Sequence, residues 1–167
     1  MHGKDGMDET INILARVGIV GVALIGGALF GFSSFIMAAL ARMPDAEGIR
    51  AMQNINKTVF TPWFMVPFFG TAVLGVGAVA LGLFNTDQGW WLPMASAGVL
   101  YVLGVFVVTA AGNVPLNNAL AAVDADDPAS AELWRKYCVV WTRWNHVRVI
   151  ASVFALIQFG GALRALS

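Results

Sequence analysis

Charge is scarce in this chain. Asp, Glu, Lys and Arg make up 12% of its 167 residues, against roughly 25% in an average soluble domain, which argues against a disordered segment and an ordinary soluble enzyme. Ten basic residues balance ten acidic ones, so nothing in the charge points to nucleic acid or to another highly charged partner. Cysteine is almost absent: Cys138 alone excludes an intrachain disulfide framework and a cysteine-cluster metal site. Histidine is limited to His2 and His146. With one Cys and scattered Met, these do not supply three or four metal ligands at helical spacing, and haem on His146 would lack a second axial His within the apolar runs. No P-loop, GxGxxG, GxSxG or carboxylate pair is present, so the familiar signatures of nucleotide, dinucleotide and serine-hydrolase chemistry are missing.

What is abundant is apolar: 58% of the residues are hydrophobic and 18 are glycine. Charge-free runs of 25, 29 and 36 residues lie between Arg16 and Arg42, Lys57 and Asp87, and Asp87 and Asp124. Each is long enough to cross a hydrocarbon layer of roughly 30 Å. A fourth run, from Arg148 to Arg164, has only 15 uncharged residues, so a full crossing requires Asn145, His146 and Arg148 at membrane depth or a locally thin bilayer. The expected fold is an all-α, membrane-embedded four-helix bundle with helical extensions in its two long loops. It forms one domain over 1–167, with spans near 12–40, 60–86, 90–113 and 143–164. Met1 to Thr10 is too acidic, and the apolar run after it too long, for a cleaved signal peptide, with Met7 an alternative start.

The basic residues are unevenly placed. Lys4, Arg16 and Arg164 flank one side of the spans, whereas Arg42, Arg50, Lys57, Arg135, Lys136, Arg143 and Arg148 fall in or beside the first and third loops. The asymmetry predicts both long loops in the cytoplasm and both termini outside. Gly27 to Gly31 forms a GxxxG, and Gly70, Gly75, Gly77, Gly82, Gly98, Gly104 and Gly112 offer further small surfaces for helix contact. Trp90 and Trp91 beside Asp87 suit an interfacial aromatic belt.

In the first long loop, Pro44 and Asp45 can open a helix whose Ile49, Met52, Ile55 and Val59 fit helical spacing. In the last, Asp127 and Pro128 suit an N-cap and first helical position, and the helix they open can run to Arg164, roughly 55 Å. One stripe of that rod carries Trp134, Tyr137, Trp141, Asn145 and Arg148, with Trp144 beside it. An Arg near the centre of a membrane helix costs about 2.5 to 3.5 kcal/mol, and the apolar runs contain no acid to neutralise it. Its charge must therefore reach headgroup water, a loop acid such as Asp124, Asp126 or Glu132, or an anionic ligand. Gln53 and Asn56 precede the second span, and Asn113 and Asn117 end the third around Pro115. The topology brings Gln53, Asn56, Asn113, Asn117, Asn145, His146 and Arg148 to one bundle end, facing a cavity roofed by Trp141, Trp144 and Tyr137. Aromatic walls with a few convergent polar groups suit a flat lipophilic molecule bearing oxygens.

Four segments, Phe35-Ile-Met-Ala-Ala-Leu40, Met52-Gln-Asn-Ile-Asn56, Gly112-Asn-Val-Pro-Leu-Asn117 and Trp141-Thr-Arg-Trp-Asn-His-Val-Arg148, resemble signature segments of a four-span family. Its characterised members are the anthrone oxygenases of fungal polyketide pathways, and most of its relatives are bacterial. The resemblance implies a multi-pass protein of a bacterial inner membrane that oxidises an anthrone with dioxygen as co-substrate and without metal, haem or flavin. It also implies catalytic roles for Arg148 and Asn145 at an enolate oxygen and for His146 in proton transfer. Trp141, Trp144, Tyr137, Asn113, Asn117, Gln53 and Asn56 would then bind substrate. Two other readings stay open: a non-catalytic protein that binds a membrane lipid, quinone or isoprenoid, and a structural subunit of a membrane complex. Homo-oligomerisation is also open.

Overall fold

The computed structural model describes residues 2–166, with side chains from residue 6 onward. These residues form five helices and, among the described residues, no strand. Helix α1 covers residues 2–40, α2 Asp45–Thr58, α3 Pro62–Phe84, α4 Trp91–Ala121 and α5 Ser130–Arg164. Four of them, all but α2, are long and apolar enough to cross a membrane. They form a ring in which α1 and α4 each pack against both α3 and α5. The chain is an all-α membrane protein.

Local sequence explains most of the boundaries. Pro62 begins α3, where its missing N–H has no intrahelical partner to lose. Helix α5 starts two residues later than the Asp127-Pro128 pair suggests. Asp127 instead closes a short turn, its carboxylate accepting from the Ala129 amide at 2.9 Å and its carbonyl from the Ser130 amide at 2.9 Å. At 35 residues α5 is about 52 Å long. The third span does not end at Asn113; it continues as a helix to Ala121. Pro115 cannot donate to the Ala111 carbonyl, and the helix accommodates this by widening into a π-helical turn over Thr109–Asn113.

The bundle is tightest beside the short α3–α4 turn. A Cβ on Gly98 would collide with the Gly75 carbonyl, and one on Gly82 would come within 2.6 Å of the Trp91 carbonyl. Small residues are therefore required there for backbone-to-backbone contact. Trp90, expected in an interfacial belt, turns inward and is buried. The expectations about glycine differ in part: a Cβ on Gly70 or Gly77 meets nothing within 4 Å. The Gly27–Gly31 pair is not a helix contact, since a Cβ on Gly27 meets nothing within 4 Å and one on Gly31 meets only side chains of its own helix. In α1 the close approaches are instead at Gly18, Gly21 and Gly26, against Phe159, Thr71 and Ser152.

The opposite end is covered by α2, which follows the predicted amphipathic pattern. Ile49 and Met52 are buried in a cluster with Leu120, Trp134, Tyr137 and Trp141. Gln53 donates to the carbonyls of Leu120 and Val123 at 2.8 and 3.1 Å, satisfying acceptors left open at the end of α4. Arg50 pairs with Asp126 at 2.7 Å, a hydrogen bond that raises the guanidinium above its ordinary pKa, and Arg135 reaches Asp45 at 3.5 Å. The side chain of Lys4, counted in the charge asymmetry, lies outside the described residues.

Candidate functional site

Helix α5 presents its polar aromatic stripe to the interior as the spacing predicts: Trp134, Tyr137, Trp141, Asn145 and Arg148 are all buried. Trp134, Tyr137 and Trp141 form a ladder of stacked rings with centroids 5.7 and 6.2 Å apart. Asn117 fixes its inner part, its Oδ1 accepting from the Tyr137 hydroxyl at 2.8 Å and from the Trp141 indole at 2.9 Å.

Arg148 does not splay toward solvent. It is 5% exposed, and its guanidinium carbon sits 5.1 Å from the Trp141 ring centroid, a favourable cation–π distance. One terminal nitrogen donates to Asn145 Oδ1 at 2.7 Å and the other to the Thr109 hydroxyl at 3.1 Å. Among the described residues no carboxylate pairs with it, and its Nε is buried without a partner. The amide that meets it belongs to its own helix, whereas Asn113 and Asn117, expected to converge on it, bond the Trp141 backbone and the aromatic ladder.

Two π-helical turns hold this arrangement. One, over Phe32–Ile36 in α1, contains Ser33, whose hydroxyl accepts from Asn145 Nδ2 at 2.7 Å, while the same nitrogen donates to the Leu29 carbonyl at 2.7 Å. The other, over Thr109–Asn113 in α4, supplies the Thr109 acceptor for Arg148 and the Asn113 amide that donates to the Trp141 carbonyl at 3.2 Å. Such local widenings recur where a helix must aim a side chain at a site.

Beside Arg148 lies a cavity of about 270 Å³, close to the lower end of the roughly 300–1,000 Å³ typical of ligand sites. Its walls are apolar: Phe64, Phe68 and Phe69 from α3, Phe106 and Val114 from α4, Leu29 and Phe32 from α1, and Met52 and Ile55 from α2. Polar groups reach it from Arg148, Thr109, Asn117 and Asn56. The Nδ2 of Asn56 is buried without a partner.

Of the ten residues singled out from the sequence, Asn56, Asn117, Trp141 and Arg148 line this cavity. Tyr137, Asn145 and Asn113 stand behind the lining as supports. Gln53 is committed to the α4 carbonyls, and Trp144 is 42% exposed with its ring over Gly112. His146 is exposed on the outer face of α5, where its Nδ1 meets the Ser33 hydroxyl at 2.9 Å. Three to four residues per turn put positions 145 and 148 on one face and 146 on another, so His146 cannot join them in the cavity. Thr109, Ser33 and the phenylalanine wall were not anticipated, although Thr109, Asn113 and Asn117 form a readable i, i+4, i+8 polar row. Among the described residues no group of three His, Cys, Asp or Glu side chains is placed to hold a metal ion.

The sequence pattern of the family described as anthrone oxygenase matches residues 60–157, more than half of the chain. The protein belongs to the anthrone oxygenase family. That stretch contains the Thr109–Asn117 row and the whole Trp134–Arg148 stripe of this family member, while the Ser33 and Asn56 contributions come from outside it. No curated protein and no solved structure matches the chain.

Proposed function

We propose that this protein oxidises a flat, lipophilic anthrone-type ketone with dioxygen, giving the corresponding anthraquinone and water. The observation that carries the reading is a buried guanidinium with no carboxylate partner among the described residues, bordering an aromatic cavity. An anthrone places a ketone opposite an activated CH2 group. Loss of one methylene proton to water gives an enolate whose oxygen carries the charge that Arg148 lacks. Hydrogen bonds to a developing oxyanion in a water-poor site are worth about 2.7 to 4 kcal/mol each. Trp141 offers a ring for stacking, and Asn56 and Asn117 offer polar edges.

The enolate is electron-rich enough to reduce dioxygen itself. One-electron transfer and recombination form a carbon–oxygen bond at the former methylene, and the resulting peroxide anion takes back a proton to give a hydroperoxide. Loss of the remaining hydrogen there with cleavage of the O–O bond leaves the second carbonyl, and the departing hydroxide takes a proton to become water. The chain's own residues bind, orient and stabilise charge, while Asn145 and Thr109 position Arg148.

A second reading, binding of such a molecule or of a quinone lipid without turnover, is favoured by one feature: among the described residues Arg148 is the only charged side chain in the cavity lining, which includes no carboxylate or imidazole to act as base. Dioxygen uptake by the purified protein with anthrone, followed with the appearance of anthraquinone absorbance, separates the two. Turnover is expected, with Arg148→Met lowering it on the order of 10²- to 10³-fold; anthraquinone binding with no uptake would leave only the binding reading. The basic-residue asymmetry further supports a bacterial inner-membrane orientation with the α2-covered end in the cytoplasm. Labelling of a cysteine placed at Arg50 only from the periplasmic side would contradict it.

A further inference from the structure

The cavity has a covered aqueous end and an uncovered side. Toward water it lies beneath α2, which is seated by Ile49 and Met52, tied by Gln53 to the carbonyls of Leu120 in α4 and Val123 just past it, and joined by Arg50 to Asp126. Toward the surrounding membrane, α3 and α4 form a fork. They touch backbone to backbone at Gly75 and Gly98, but farther along Phe68 and Phe69 face Phe106 with ring centroids 5.3 and 5.6 Å away. Rings of that size hold the helices apart, and the cavity occupies the opening.

The outer lip of the fork is apolar and exposed. Phe69 is 51% exposed and lines the cavity together with the exposed Ala110, while Phe60, 73% exposed, and Val114, 40%, carry the lip on to the α2-covered end. Depth agrees between the two helices. Phe69 lies 15 residues before the end of α3 at Phe84, and Phe106 lies 15 after the start of α4 at Trp91. At 1.5 Å per residue both sit about 22 Å from the short-turn end, inside a hydrocarbon layer of roughly 30 Å.

We propose that the ligand of this cavity enters and leaves sideways, from the hydrocarbon phase of the bilayer, through the α3–α4 fork between Phe69, Phe106, Ala110 and Val114. The proposal rests on the functional reading above insofar as the ligand is a planar aromatic ketone. It adds the route, the residues that form it and the source of the ligand: a molecule dissolved among lipid tails, not one captured from water. The edge-to-face contact of Phe69 with Phe106 is the narrow point.

The test uses the full chain in lipid vesicles with 9,10-anthraquinone as probe and quenching of tryptophan emission as readout, so that no turnover is needed. Ala110→Phe, or Val114→Phe at the outer lip, narrows the fork. Either should slow both association and dissociation on the order of tenfold, because an obstructed route raises the barrier to passage in both directions. In a second arm Cys138 is replaced by Ala, cysteines are placed at Arg50 and Asp126, and a bifunctional maleimide pins α2 over the bundle end. Here both rates should be unchanged. Rates insensitive to both fork substitutions, or binding abolished by the α2 cross-link, would overturn the lateral route while leaving the functional reading intact. Failure of the unmodified protein to bind the probe would overturn both.

Discussion

The two ends of the bundle are built on opposite rules. Near the short α3–α4 turn, Gly75, Gly82 and Gly98 let helix backbones touch, and the interior is filled with small and aliphatic groups around the buried rings of Trp90 and Phe159. At the end covered by α2, aromatic rings and hydrogen-bonded polar side chains keep the helices apart, two of the helices widen into π-helical turns, and a cavity remains. Close packing makes the first end a clamp. Among the described residues the second end accepts an unneutralised cation and two buried amide atoms without partners, against the single Trp90 indole nitrogen at the first, and a ligand in the cavity would offset such costs.

The largest effect on this contrast should come from Gly98→Val. Its Cβ would strike the Gly75 carbonyl, and overpacking at such a contact costs about 3 kcal/mol. Thermal unfolding of the detergent-solubilised protein should show a strongly lowered midpoint. Gly77→Val, where a Cβ meets nothing within 4 Å, should leave the midpoint unchanged.

Asn117→Leu comes next. It removes the one oxygen that accepts from both the Tyr137 hydroxyl and the Trp141 indole N–H, a loss of about 1 to 3 kcal/mol. Unfolding should occur at lower temperature, and anthraquinone affinity should fall as Trp141 loses its fixed orientation. Equal stability in titration and unfolding experiments would mean that the amide does not organise the ladder.

A smaller change is expected for His146→Ala. The imidazole lies outside the cavity and touches Ser33, so anthrone-dependent dioxygen uptake should stay within about threefold of the unmodified protein, under 1 kcal/mol. A loss of a hundredfold or more would require His146 to take part in proton transfer. The smallest effect belongs to Arg50→Ala. It removes an exposed ion pair to Asp126, and any shift of the unfolding midpoint should disappear in high salt.

Much of this architecture was legible in the sequence, because long charge-free runs and the 3.6-residue period act locally. The four apolar helices, the amphipathic α2 and the buried Trp134–Arg148 stripe all follow from them. Helix starts and continuations were harder. Asp127 and Pro128 look like a helix opening but form a turn, and Pro115 looks like a helix end but is absorbed by a π-helical turn, because either outcome satisfies the same backbone groups. The site was legible only in part. Arg148 and Trp141 stand out as costly or large residues on one stripe, yet the partners of each amide depend on rotations between helices that no local pattern fixes. Gln53 thus binds backbone carbonyls, and His146 falls on the outer face. The phenylalanine wall carried only the common signal of aromatic residues in an apolar helix.

The position of a bound planar ketone tests the central claim most directly. An experimental structure of the protein in lipid with anthraquinone should show a ring system against Trp141 inside the phenylalanine-walled cavity, with one carbonyl oxygen within hydrogen-bond distance of the Arg148 guanidinium. A ligand bound elsewhere with Arg148 turned to headgroups or paired to a carboxylate would contradict the account.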